Sequence, residues 1–486
     1  MTVTQATVGR PLPGSQDHSE VFINGAWRAA AGPDAIDVFD SGTEERLGTV
    51  RSASIRDLDD AVEAARRAHA RWSATNPAER ARILMALHDA LEPRTGELTA
   101  LIAAEVGTAV RLSSAIQVQS ALAILAETAR LLTEFEFTEQ IGNVTVVHQS
   151  SGVAAAITPW NYPLFQTVAK VGAALAAGST VVHKPSGLAP LSSFVLADAC
   201  AAAGLPPGTY NLVTGSGSDV GSRLAAHPGV DMVSFTGSTE VGIAVYREAA
   251  RSLKRVALEL GGKSASIILD DADLPTAIKT SVNRGLLNSG QTCDAWTRLL
   301  VPRSLLDDCV ALALEATDRL TLGDPFDERT RLGPLVSGQQ VQRVRRYIDH
   351  ALGDGAVLIA GGSERPVDLE VGYYVRPTLL ANISADMAVA REEVFGPVLV
   401  VMTYESDDEA VEIANATDYG LSGAVWSPDA DRVARIVNGM RAGQVVVNGG
   451  RFNPSAPVGG VKMSGIGREL GAAGIAEFLE TKSVVH

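Results

Sequence analysis

At 486 residues the chain is longer than one ordinary hydrophobic core supports, so two or three domains are expected. Its 46% hydrophobic and 20% charged residues are those of a globular protein in water. A net charge of −15 excludes nucleic acid or an anionic membrane as the main partner, since each demands a basic face.

Residues 1–20 are polar, contain Pro and Gly, and lack the basic-then-apolar layout of a signal peptide, so a flexible tail is expected there. No run of 18 or more apolar residues occurs. Four helical patterns fill residues 54–135, with Asp57, Asp59 and Asp60 suited to a helix start and Gly107 to a break. Val144–Gln149 is a short β-type run. From Gly152 onward strand and helix alternate. Strands are expected at 153–158, 180–184, 210–213, 232–237 and 255–260, with helices at 162–177, 189–203, 217–226 and 239–251 between them. This alternation implies right-handed crossovers and a parallel sheet covered on both faces, an α/β fold. A second alternating block runs from 264–269 to 445–448, and another β-type run lies near 479–486.

The three cysteines, Cys200, Cys293 and Cys309, fall in no metal-ligand spacing, so no metal site is expected. Their sparse, odd count fits a reducing cytoplasm better than a disulfide framework. Cys200 and Cys309 lie on amphipathic helical patterns, as small buried hydrophobes do. Cys293 differs, standing among small and polar residues in SGQTCDAW. A thiol is a strong nucleophile only as thiolate, and hydrolysing the thioester it forms needs a base. Glu259, in LELGGK at 258–263, is a carboxylate placed in a similar small-residue turn.

Two glycine-rich turns are candidates for a dinucleotide. GSGSDVG (215–221) gives the spacing GxGxxxG instead of GxGxxG and is weak alone. FTGSTEVG (235–242) follows a strand and opens a helix, where N–H groups and the helix dipole favour phosphate. Gly262-Lys263-Ser264 is not a phosphate loop, because that motif needs glycine at position 257, which is Ala257. TPWNYPL (158–164) comes straight after the first strand of the alternating block, where ligand loops gather in open α/β sheets.

LELGGK followed by SGQTC, with both glycine turns in register, closely resembles the NAD(P)-dependent aldehyde dehydrogenase superfamily of the hydrolytic, non-acylating type. The resemblance runs from about Phe22 to the C-terminus. It implies a Rossmann-like cofactor-binding domain (21–136 and 152–258), an α/β catalytic domain (259–452) and a small β oligomerisation element (137–151 and 470–486). It implies that Cys293 attacks an aldehyde to give a thiohemiacetal, which expels hydride to the nicotinamide and leaves a thioester. Asn161, with the Cys293 N–H, would hold the oxyanion, and Glu259 would activate the hydrolytic water. Lys184, grouped with these catalytic residues, would reach the adenosine ribose.

By the same resemblance the cofactor would meet Ile157, Thr158, Pro159, Trp160, Ser186, Gly187, Gly217, Gly221, Phe235, Gly237, Ser238, Leu260, Gly261, Glu393 and Phe395. Substrate walls would come from Trp160, Phe165, Gln166, Ala169, Thr292, Asp294, Phe452 and Val458. Val458 stands where many relatives carry an aromatic, and Ala169 where some carry a large ring, so a roomier pocket than one for acetaldehyde is expected. Arg451 would attract a substrate carboxylate and Asp294 would oppose one. Many NAD-preferring relatives carry a glutamate in place of Gly187, which leaves NAD and NADP both open. A small-molecule aldehyde, a homodimer or homotetramer and a cytoplasmic location complete the expectation. Two alternatives are a CoA-acylating enzyme, a branch that characteristically lacks the Glu259 base, and a non-catalytic structural or binding relative, which would have lost nucleophile or base.

Overall fold

A computed structural model describes residues 8–486. Its framework is two large sheets. The first has eight strands in the spatial order 465–466, 255–259, 232–236, 153–157, 180–184, 210–212, 20–23 and 26–29. Its five central strands are parallel, and the strand order reverses between 153–157 and 232–236. Loops leaving those two strands at their carboxyl ends, Thr158–Asn161 and Gly237–Ser238, therefore flank the crevice where open α/β sheets take ligands. The second sheet has seven strands in the order 357–360, 378–381, 398–404, 298–302, 265–268, 422–426 and 444–447, parallel except at its 357–360 edge. An α/β fold of Rossmann type is what the alternation predicts.

The helices begin and end for local reasons. Helix Ile55–Ser73 opens with a capping box, in which Ser54 accepts from the Asp57 N–H and Asp57 accepts from the Ser54 N–H. Helix Thr95–Val106 stops at Gly107 and helix Pro163–Ala177 at Gly178, both in the left-handed conformation that glycine adopts without strain. Helix Pro163–Ala177 is nearly all buried; its small residues let helix Ser120–Leu132 pack close against it.

Several expectations need correcting. Within the expected tail, residues 1–7 lie outside the described residues, but residues 10–18 are tied down. Gly14, Gln16 and His18 donate backbone hydrogen bonds to Arg46, Leu47 and Thr49, and Arg10 pairs with Asp40 and Asp324. Composition showed polarity there but not the edge that the segment lies along. The crossing between the large sheets falls after Glu259, at residues 260–264, so Glu259 ends a strand of the first sheet. Gly465–Ile466 returns to that sheet and pairs antiparallel with Leu258 and Glu259. The helix at 217–226 begins with a wider π-type turn over Gly217–Gly221.

Strand Leu479–Val485 pairs antiparallel with Val144–Ser150, which pairs with Thr138–Ile141 in a separate three-stranded sheet. Helix Gly471–Glu477, expected to belong with it, packs instead on helices Pro163–Ala177 and Ser120–Leu132. Among the described residues no helix is long and apolar enough to cross a membrane. None of them gathers three His, Cys, Asp or Glu side chains for a metal.

Candidate active site

Cys293 sits where two clefts meet. One, of about 680 Å³, is lined by Trp160, Asn161, Gly237, Ser238, Glu393 and Phe395. The other, of about 1170 Å³ including its open mouth, is lined by Phe165, Glu259, Asp294, Phe452, Val458 and Glu469 among others. Cys293 lines both. Cys200 and Cys309 are buried away from either.

The turn that carries the thiol is built on a backbone conformation most residues avoid. Asn288, Ser289 and Gly290 all take positive φ (53°, 56° and 73°), which reverses the chain sharply before Gln291. A buried polar network holds that shape. The Asn161 side-chain amide donates to the Gln291 carbonyl at 3.0 Å, and Gln117 and Asn288 donate to the Asn161 carbonyl at 3.0 and 3.1 Å. The Gln291 side chain accepts from the Val336 N–H at 2.9 Å. The Tyr162 and Thr292 hydroxyls share a hydrogen bond of 2.7 Å. Gln117, Asn288 and Tyr162 escaped sequence reading because single buried polar residues carry no spacing signal.

Two glycines bring the LELGG turn against this loop. A Cβ on Gly262 would lie 2.5 Å from the Cys293 carbonyl oxygen, and one on Gly261 would lie 2.4 Å from Glu393 Oε2. The first excludes any other residue, and the second would force the Glu393 carboxylate aside. The Gly262 N–H donates to Glu393 Oε1 at 3.1 Å. Burial pushes the Glu393 carboxyl up to about 7, and that N–H offsets part of the rise.

Glu259, the last residue of its strand, is buried and its Oε1 has no hydrogen-bond partner. Burial, and then the charge of Glu469, push its carboxyl well above the ordinary range, while Lys170 and Arg468 pull it partly back. Lys170 and Glu469 form a buried ion pair beside it. Burial also raises the Cys293 thiol, and the carboxylates Asp294, Glu393 and Glu259 add to the rise.

Most other expected site residues fall on one cleft or the other. Pro159, Trp160, Gly237, Ser238, Leu260, Gly261, Glu393 and Phe395 line the first. Trp160 was also expected as a substrate wall, but it stands edge-on to Phe395, 5.3 Å between centroids, on this first side only. Phe165, Gln166, Thr292, Asp294, Phe452 and Val458 line the second. Ala169 does not; it is packed in the core on helix Pro163–Ala177. Its face of the helix was misjudged because every face of that helix is buried. Asp294 lies 4.0 Å from Arg284, a cleft residue that was not foreseen, so its charge is partly offset.

Lys184 reaches neither cleft. It is buried at the end of its strand, 3.5 Å from a Cβ on Gly221, and burial lowers it to about 8. Its grouping with the catalytic residues is not supported by this position. Ile157 and Thr158 are buried beside it at the strand ends. The Thr158 hydroxyl meets His183, whose other ring nitrogen meets Tyr210, each at 2.9 Å. Gly187 sits in the turn after Lys184, with Ser186 before it. In the weaker glycine turn Gly215 is the one the fold demands, since a Cβ there would lie 2.3 Å from Val220; Gly217 faces open space.

These residues suit a dinucleotide. Gly237 and Ser238 precede helix Thr239–Ala250, whose first N–H groups are free for phosphate apart from the one that Ser238 accepts. A Cβ on Gly237 would lie 2.5 Å from the Phe235 ring, which folds beneath the turn. Lys184 offers a buried ammonium, and Glu393 a carboxylate anchored by a single N–H.

Comparison with known proteins agrees. The family model described as "Aldehyde dehydrogenase family" matches residues 27–484, and the chain belongs to that family. It is 45% identical to a 3-succinoylsemialdehyde-pyridine dehydrogenase of Pseudomonas sp., over 97% of this chain and 99% of the relative. Among solved structures, a mutant aldehyde dehydrogenase C of Pseudomonas syringae with NAD+ and octanal matches at 43% identity. Its TM-score is 0.96 and the match covers 98% of each chain. An aldehyde dehydrogenase of Mycobacterium tuberculosis complexed with NAD+ matches at 39% identity and a TM-score of 0.95, over 97% of this chain and 99% of that one. The activity is NAD(P)-dependent oxidation of an aldehyde.

Proposed function

We propose that the reaction runs at the junction of the two clefts, with the dinucleotide on the Gly237–Glu393 side and an aldehyde with an extended apolar body on the Phe165–Phe452 side. The observation that carries this reading is that Cys293 lines both clefts while Glu259 lines only the second. When bound, the oxidised nicotinamide supplies the hydride acceptor. Cys293 is the nucleophile, forming a thiohemiacetal and then a thioester. Asn161 spends one side-chain N–H on Gln291 and keeps the other for the oxyanion, with the Cys293 N–H as its companion. Glu259, buried with an unbonded oxygen, takes a proton from the water that hydrolyses the thioester. A water-activating carboxylate in the substrate cleft disfavours transfer of the acyl group to CoA.

The substrate side is apolar over Ile116, Phe165, Leu287, Val446, Phe452 and Val458. Burying one more methylene there is worth about 0.8 kcal/mol, or roughly fourfold in kcat/KM. A straight-chain series from acetaldehyde to octanal, followed by the absorbance of the reduced cofactor, should show that climb. A flat or falling series would remove the extended apolar substrate but leave the enzyme class intact.

The dinucleotide choice rests on Gly187, which offers no carboxylate to a ribose diol and no repulsion to a 2′-phosphate, so NADP+ should be accepted beside NAD+. The three-stranded sheet, with most of strand Leu479–Val485 exposed, serves assembly of a homodimer or homotetramer. Deleting residues 480–486 should lower the mass found by light scattering; an unchanged mass would refute that role. A cytoplasmic location fits the three unpaired cysteines.

A further inference from the structure

His183 is a buried titratable group with no part in the chemistry described so far. It stands on strand 180–184, which lies between strands 153–157 and 210–212 of the first sheet. A polar ring inside a sheet is costly unless both its nitrogens find partners. They do: Nε2 lies 2.9 Å from the Thr158 hydroxyl and Nδ1 lies 2.9 Å from the Tyr210 hydroxyl. Burial, and then the Lys184 charge, lower the imidazole to about 3, so the ring is neutral and carries a single N–H. Among the described residues the Tyr210 hydroxyl has no second partner. It therefore donates to Nδ1, and the Nε2–H donates to Thr158.

Thr158 and Pro163 are the two roots of the loop that carries Trp160 and Asn161. Thr158 is held by His183 directly. The Thr167 hydroxyl donates to the Pro163 carbonyl at 2.7 Å, and lies 3.3 Å from the Thr158 hydroxyl and 3.4 Å from His183 Nε2. Both roots thus converge on one imidazole. Between them, no N–H of Trp160, Asn161 or Tyr162 donates to another backbone group among the described residues. Side chains hold the loop instead. Gln117 and Asn288 grip the Asn161 carbonyl and Thr292 the Tyr162 hydroxyl, from the side of the thiol turn. His183 grips the opposite side.

We propose that His183 is a positioning residue: touching neither aldehyde nor dinucleotide, it fixes Thr158 and so aims the Asn161 amide at the oxyanion. This rests on the oxyanion role assigned to Asn161. A leucine at 183 would fill much of the same space but leave the Thr158 and Tyr210 hydroxyls without their shared partner.

Variants of the full chain test it, each assayed well below its own Tm and with activity counted per alkylatable Cys293. His183→Leu should lower kcat and the burst rate of reduced cofactor by roughly 10–100-fold, less than the loss of about 10²–10³ that follows removal of an oxyanion donor outright. The aldehyde KM should stay within about twofold. A glutamine amide reaches where Nε2 stood and an asparagine amide where Nδ1 stood. His183→Gln therefore restores the Thr158 bond, and His183→Asn only the Tyr210 bond. The glutamine variant should recover kcat to within about threefold of the parent, and the asparagine variant should stay as low as His183→Leu. Equal rates in the two amide variants would mark packing alone and overturn the proposal, as would parent kcat in His183→Leu. A crystal structure of His183→Leu separates this role from that of Asn161. There the Thr158–Asn161 segment should have shifted and broken the 3.0 Å bond from Asn161 to the Gln291 carbonyl. A segment that keeps its place overturns the positioning role whatever kcat does. A displaced segment with kcat intact overturns the oxyanion role of Asn161, and the catalytic consequence of His183 with it. If His183→Leu does not fold, the comparison of the two amide variants decides.

Discussion

The two clefts that meet at Cys293 are made in opposite ways. The dinucleotide side is made largely of turns that follow strands, with glycine wherever backbone or carboxylate must come close: Gly237 over Phe235, Gly261 against Glu393. The substrate side is made of side-chain walls from scattered segments, with Ile116 and Ser120 from one helix region, Phe165 and Gln166 from another, Arg284 and Leu287 from a third, and Phe452 and Val458 from loops. Backbone geometry fixes the part of the chemistry that does not change with the aldehyde. Side chains set the part that does.

That contrast can be broken at its junction first. Cys293→Ala should cut turnover on the order of 10⁴-fold or more while dinucleotide binding, followed by fluorescence titration, stays as it was. Residual activity near the parent level would refute the assignment of the nucleophile. Glu259→Gln acts from one side only. It should leave a burst of reduced cofactor but slow the steady state by about 10²–10⁴-fold. Because the folded protein raises the Glu259 carboxyl, the parent's deacylation should speed up as pH rises through that elevated value, and the variant's should be flat. A missing burst would place Glu259 earlier in the cycle.

Gly261→Ala sharpens the comparison from the other side. Its Cβ would fall 2.4 Å from Glu393 Oε2 and displace that carboxylate. Losing one charge-assisted hydrogen bond of about 1.5–3 kcal/mol should weaken the dinucleotide roughly 10–100-fold, with the aldehyde KM unchanged. Equal damage to both constants would show that the clefts are not separable. The smallest effect is expected of Gly187→Glu, which should shift kcat/KM toward NAD+ by roughly tenfold. Its Cβ meets two Ile36 carbons at 3.3 Å, so the side chain must nudge Ile36 as it enters. If the parent already rejects NADP+ as firmly as the variant, another residue sets the choice.

What could be read from the sequence follows the same division. The strands at 153–157, 180–184 and 232–236, and the turns after them, were legible because periodicity and glycine report backbone. Cys293 and Glu259, singled out by small-residue turns together with the resemblance, come to line the same cleft. The wall residues were not legible. Ala169 was expected in the pocket and is in the core, because a helix buried on every face gives no sign of which face meets a cavity. Arg284 and Glu469 were missed because a lone charge on a helix or loop usually faces solvent. The docked segment at 10–18 was missed for a related reason: the N–H groups of Gly14, Gln16 and His18 go to residues 46–49 and Arg10 reaches Asp40 and Asp324, and polar composition does not announce a partner. Lys184 shows the limit of resemblance, since its catalytic grouping is not supported by where it lies.

The turn carrying Cys293 is pressed against its neighbours main chain to main chain. A Cβ on Gly290 would lie 2.0 Å from the Gly396 carbonyl oxygen, and one on Gly262 would lie 2.5 Å from the Cys293 carbonyl oxygen. Rotamers elsewhere can adjust to a misfit, but a peptide group against a peptide group cannot. For anyone reshaping this enzyme toward a new aldehyde, Gly262 and Gly290 have no tolerated library. The usable diversity lies at positions such as Ile116, Phe165, Phe452 and Val458, whose side chains end in the cleft.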